Sequence, residues 1–270
     1  MRRATPVILF VVAAALLWTA GGQHDSLVKL RTEHKLNSSE PLQNAPPLMA
    51  FTTVVLGGFR GLLADALWLR ASRLKADGKY VELVQLSDWI TKLEPRCSEV
   101  WEFHAWNMAY NVTVMMPEPA DRWRWIQSGI QLLRDQGLFY NPTDARLHWQ
   151  LGWIFQHKIG ADFDRAHLFY KQKWAEDIGR FLDGTAPAYD RLAADPELAR
   201  QMLDELKLNP TAMREIDTKY GPLDWRQPET YAIYWAHRGL RFAQGYDVKA
   251  CERMVRQCLA ALENSSKSAE

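Results

Sequence analysis

The chain has 270 residues, of which 47% are hydrophobic and 24% charged, the balance of a globular protein rather than a disordered one. Its 33 Lys and Arg stand against 32 Asp and Glu, and the net charge of +1 argues against a nucleic-acid partner, which needs a basic surplus. Twelve Trp against ten Phe and nine Tyr make it rich in the one aromatic side chain whose N–H asks for a partner when buried.

Arg2 and Arg3 precede an uncharged run over residues 7–18, VILFVVAAALLW, so residues 1–22 are expected to be a signal peptide or a transmembrane anchor. Ala20-Gly21-Gly22 is a poor cleavage site, which favours an anchor crossing the membrane through residues 4–20. Either reading puts the rest on the extracytoplasmic, periplasmic side of a bacterial inner membrane. Residues 23–47 are polar, with Pro41 and Pro46-Pro47, and read as a stalk. Residues 48–59 (LMAFTTVVLGGF) are apolar but too short for a span, and suit a buried helix.

From Arg60 onward apolar residues recur at spacings of three and four. Leu63, Leu67, Ala71 and Leu74 share a helix face, as do Tyr80, Leu83, Leu86, Ile90 and Leu93 beyond Gly78, ending at Pro95. Further helices are predicted over 97–114, 120–139, 144–158, 162–181, 195–206, 211–219, 229–243 and 247–262, with Asp144 and Asp162 as N-caps. Alternation of period two is missing over any useful length, so the fold class is all-α. Residues 264–270 read as a disordered tail.

The helices fall into pairs. Ala71, Gly78-Lys79-Tyr80 and Pro95 mark a first pair, and Trp101, Ala105, Met108 and Pro142 a second. Leu151-Gly152 with Phe155, then Ala166 with Tyr170, mark a third, and Trp235-x2-Arg238-Gly239-x2-Phe242 a fourth. In this spacing of aromatic and small residues the chain resembles the tetratricopeptide repeat (TPR) family. The resemblance implies a TPR-like right-handed α-solenoid of helical hairpins over 48–263, with residues 186–226 as an insertion. It also implies a scaffold binding protein partners, with side chains beside the packing stripe of each first helix facing a concave surface. That register assigns Trp68, Trp106, Tyr110, Trp149 and Trp153 to partner binding, flanked by Glu102 and Arg146, with Asp65 and Lys75 nearby. Trp149 and Trp153 are four apart and share a face.

Competing chemistry is sparse. The chain lacks a glycine-rich phosphate loop, CxxC, HExxH and GxSxG, and we assign no catalytic residue, no metal and no cofactor. His157, Asp162, Asp164 and His167 form the best metal-like grouping, but their spacing fixes no ligand geometry, and capping explains Asp162 better. Cys251 and Cys258, seven apart on one helix, sit about 10.5 Å from each other, beyond disulfide reach. Leu223-Asp224-Trp225-Arg226 reads as an Asp–Arg pair over an indole, a structural corner. The alternatives to a scaffold are an envelope glycan binder using exposed Trp rings, and an enzyme with its site in residues 186–226.

Overall fold

The computed structural model describes residues 59–269. The expected targeting segment 1–22, the stalk 23–47 and the apolar run up to residue 58 lie outside the described residues. What is described is all-α apart from one short strand pair, and none of its helices is long and apolar enough to cross a membrane.

Helix α1 (Phe59–Ala76) and α2 (Tyr80–Leu93) form a hairpin whose turn needs Gly78 in the left-handed region, at φ 70°. Ala71, Leu74, Leu83 and Ile90 close it into a small core with Val100. Leu63, expected on the packing face, is instead exposed, along with Leu62 and Leu69.

Next come α3 (Ser98–Trp106), α4 (Pro119–Gln131), α5 (Ala145–Trp153) and α6 (His167–Gly179). Three of these run on without a break into π-helical turns: α3 into Asn107–Val112, α4 into Leu132–Gly137 and α5 into Ile154–Gly160. Asp144 caps α5 as expected, its carboxylate accepting from the backbone N–H groups of Arg146 and Leu147. Asp162 does not cap α6. The helix starts later, at His167, and Asp164 takes the preceding corner by accepting the Ala166 N–H at 3.0 Å. Asp164 is held there by a buried Lys158 at 2.6 Å, so a charge pair rather than a cap fixes where the helix begins.

Helices α3 and α5 lie side by side and run parallel. Glu99 bonds Arg146 near their starts and Tyr110 bonds His157 near their ends, each pair separated by 47 residues. On the second helices Trp123 of α4 stacks on Tyr170 of α6 at the same separation, with centroids 6.1 Å apart. The π turns after α3 and α5 also begin at the same relative place, directly after Trp106 and Trp153. Positions 47 residues apart thus meet at three places, and in that register Ala105 corresponds to Gly152 and Trp106 to Trp153.

Residues 182–226 depart from this pattern. A two-residue antiparallel pair, β1 (Leu182–Asp183) and β2 (Ala186–Pro187), leads into α7 (Tyr189–Ala194), α8 (Pro196–Leu206) and α9 (Pro210–Tyr220). Asp195 and Asn209 cap α8 and α9, each followed by Pro at the first helical position. The corner at 223–226 forms differently from the expected clamp. Trp225 is fully buried beneath it, donating its indole N–H to Asp217 at 2.9 Å, while Asp224 and Arg226 pair on the surface at 2.8 Å.

Helix α10 (Pro228–Leu240) is the most buried, and α11 (Tyr246–Ala269) packs along it. Gly152 and Gly239 sit at helix contacts as expected: they lie at the contact between α5 and α10, and each also meets α11, Gly152 at Met254 and Gly239 at Cys251. A Cβ on Gly152 would lie 3.1 Å from the Ala232 carbonyl oxygen, and one on Gly239 3.3 Å from that of Ala145. The start of α5 thus meets the end of α10, so the two helices run antiparallel. Stacked repeats carry equivalent helices in one direction, so α10 does not continue the α3–α5 register. Helix α11 also runs through residues 264–269, where the sequence suggests a disordered tail, and Ser265 Oγ bonds back to the Ala261 carbonyl. The cysteines are free, and burial pushes the thiols of Cys251 and Cys258 up to about 11 and about 12.

Candidate functional site

Four of the five aromatic residues assigned to partner binding meet in one stack across α3 and α5. Residues four apart on a helix share a face, so Trp106 lies on Tyr110 with centroids 4.0 Å apart and planes 17° from parallel. On the neighbouring helix Trp149 stacks on Trp153 at 5.3 Å, and Trp153 on His157 at 4.6 Å and 12°. The hydroxyl of Tyr110 and Nδ1 of His157, 3.3 Å apart, join the two ladders, and Phe163 closes over His157 at 4.3 Å.

The repeat register does not assign His157 or Phe163 to this surface. His157 enters the sequence reading only as a metal-like residue, although its position four residues beyond Trp153 is the signal that places it in the ladder. Among the described residues no grouping of His, Cys, Asp and Glu could hold a metal ion. Trp68 does not join the stack; it meets Phe103 edge-on at 5.0 Å, over the α1–α2 core. Lys75 lies over the same Phe103 ring at 5.6 Å.

The stack is half-buried. Its inner edge rests on the main core, while Trp106 is 36% and Phe163 53% exposed. Burial lowers the His157 pKa, with Lys158 adding like-charge repulsion, and this holds the imidazole neutral. Burial likewise raises the Tyr110 hydroxyl far above its ordinary value. The pair is therefore a neutral hydrogen bond.

Beneath the stack Lys158 is 2% exposed, with Nζ 5.4 Å from the Tyr110 ring centroid. Burial lowers its pKa against the pull of Asp164. Asp164 also accepts from Tyr170 Oη at 3.2 Å and Arg122 at 3.3 Å. Burial would raise its carboxyl, but Lys158 and the Ala166 N–H together hold it below the usual range. This network ties α6 to the π turn after α5, and so sets the place of His157.

At the Trp149 end the stack opens on a cleft of about 410 Å³ lined by Glu102, Arg146, Trp149, Tyr246, Asp247 and Ala250. The assigned pair Glu102 and Arg146 meets here. Arg146 bonds Glu99 at 2.8 Å and Glu102 at 3.0 Å. Burial raises the Glu102 carboxyl, outweighing the Arg146 charge. Tyr246 and Asp247 arrive from α11, about a hundred residues along the chain, and no local pattern points to them. A wider cleft of about 660 Å³ between α4, α6 and α8 is lined by Trp123, Trp174 and charged groups, among them Arg180 and Glu205, which pair with each other.

Comparison with protein-family models, with curated proteins and with solved structures gives no match to this chain.

Proposed function

We propose that this chain is a membrane-tethered scaffold that binds a partner protein through the aromatic stack on α3 and α5. The observation that carries this reading is the convergence of Trp106, Tyr110, Trp149 and Trp153 into a single half-exposed surface, flanked by the ion-paired Glu102 and Arg146. Large, ordered aromatic side chains beside paired charges match the composition of protein-binding hot spots. Their order matters: rings already stacked on one another lose little conformational entropy on binding.

The TPR-like reading draws support from the 47-residue spacing between the second and third hairpins, at which a small residue, a Trp and a π turn recur together. The antiparallel α5–α10 contact limits it to those hairpins, so the solenoid is short and α10–α11 ends it as a cap. Residues 1–22 are the tether, holding the domain on the periplasmic side of a bacterial inner membrane. A glycan platform fits less well, because the ring faces that a sugar would cover are largely turned toward one another within the stack.

The test is co-purification of the full-length chain in mild detergent. Trp106→Ala together with Trp153→Ala is expected to remove a partner that the unaltered chain retains, with circular dichroism showing both folded. A folded double variant with an unchanged set of co-purifying proteins would overturn the reading.

A further inference from the structure

We propose that the cleft at the Trp149 end of the stack receives the guanidinium of an arginine side chain carried by the partner polypeptide; this rests on the docking function proposed above. Trp149 is the last ring of its ladder. Trp153 covers one face, and no cation of the described residues lies over the ring. Trp149 lines the cleft, and Tyr246, 73% exposed, forms another wall. An indole face carries the negative end of the ring quadrupole and attracts a cation.

The charges agree with the rings. Glu102 and Asp247 line the cleft, and Glu99 and Asp144 stand beside Arg146, the one cation in the lining. Arg146 divides its guanidinium between Glu99 and Glu102, while Asp144 is taken up by backbone N–H groups. Asp247, in the first turn of α11, lines the same cleft as Trp149. A planar cation can stack on the indole while donating two parallel hydrogen bonds to that carboxylate; an ammonium can do only one of these well. The volume suits one long side chain rather than a folded surface. Three elements build the site, with Glu102 from α3, Arg146 and Trp149 from α5, and Tyr246 and Asp247 from α11.

The experiment uses the full-length chain labelled with 5-fluorotryptophan, the Trp149 resonance being identified by its loss in Trp149→Phe. N-acetyl-arginine amide is expected to shift that resonance saturably. N-acetyl-citrulline amide, of the same shape without the charge, should leave it in place, and N-acetyl-lysine amide should bind more weakly. Asp247→Asn and Tyr246→Leu, both at exposed or half-exposed positions, should each weaken arginine binding by about two- to fivefold. An unmoved resonance, or equal binding of citrulline, overturns the proposal. If the arginine probe fails while Trp106→Ala with Trp153→Ala still removes the natural partner, the cleft is wrong and the docking surface stands. If the probe binds as expected while that pair of substitutions leaves the partner in place, the cleft stands and the docking surface is wrong.

Discussion

Tyr110 and His157 touch across two helices, hydroxyl to Nδ1 at 3.3 Å, from positions 47 residues apart that correspond to each other in the two hairpins. Each stacks on the Trp four residues before it, so one neutral hydrogen bond joins two equivalent ladders into a single surface. Tyr110→Phe keeps the ring and removes the bond, leaving a half-buried imidazole nitrogen without its partner. The expected loss is about 1 kcal/mol of stability by denaturant titration. The same change made on a His157→Phe background should cost clearly less. Additive losses would mean that the two groups do not interact.

Lys158 and Asp164 form the most buried ion pair of the described residues, and they hold the loop that carries Phe163. Lys158→Met removes one charge-assisted bond but leaves the Asp164 carboxylate with Arg122, Tyr170 and the Ala166 N–H, so it should destabilise by about 1.5–3 kcal/mol, less than a fully stranded buried charge. Asp164 has a folded-state pKa below its unfolded value, so its contribution is complete above about pH 4 and is lost as pH falls further. Asp164→Asn should therefore unfold with a shallower dependence on pH below about 4 than the unaltered chain.

His104 gives a second pH dependence, in a different window. It is buried in α3 with neither ring nitrogen hydrogen-bonded, and burial lowers its pKa from 6.5 to about 4. Between those values the unfolded chain binds the extra proton, so stability falls as pH falls through that range. The full effect is about 3 kcal/mol. In His104→Leu that slope should become clearly shallower between pH 6.5 and 4, as followed by urea midpoints at fixed pH, the remainder belonging to His148, His157 and His237, whose pKa values burial also lowers. A slope unchanged in the variant would assign the acid sensitivity to other groups.

Three glycines near the hairpin contacts separate by mechanism. Gly239→Leu would force a side chain onto the His148 Cβ and the Ala145 carbonyl, an overpacking cost of about 1–3 kcal/mol or more. Gly152→Ala meets the Ala232 carbonyl, so only part of its clash can be relieved by moving the flexible Met254. Gly245 has open space around it but stands at φ 54°, so Gly245→Ala costs about 1 kcal/mol through backbone strain rather than crowding. Thermal unfolding should rank the losses as Gly239→Leu above Gly245→Ala.

Much of this is legible in the sequence because it is local. Helix positions follow from three- and four-residue spacings and from caps such as Asp144, and the Trp149–Trp153 pair follows from i, i+4 geometry. What escapes depends on contacts between distant segments. The sequence marks Asp162 as a cap, and only the fold shows the buried Lys158 anchoring Asp164 at the corner before α6 instead. The π turns after Trp106 and Trp153 leave no mark in composition. Tyr246 and Asp247 look like an ordinary helix start until α11 brings them to Trp149.

The last prediction separates the two roles of the aromatic stack. Trp153 is an inner rung, covered on one face by Trp149 and on the other by His157, whereas Trp106 ends its ladder on Tyr110 alone. If packing were the whole purpose of the stack, both substitutions would matter only through stability, in proportion to the ring surface that each buries. Each aromatic pair contributes about 0.5–1.5 kcal/mol beyond the area it buries. Trp153→Ala should therefore destabilise by at least about 2 kcal/mol, and Trp106→Ala, at 36% exposure, by about 1 kcal/mol or less. A docking surface predicts the opposite order for binding, because the exposed end ring makes the larger contact with a partner. Trp106→Ala should then weaken partner retention more than Trp153→Leu, which keeps apolar volume inside the ladder while removing the inner ring. Stability and retention falling in the same order across Trp106→Ala, Trp149→Ala and Trp153→Leu would make the stack core alone, and move the partner surface elsewhere on the chain.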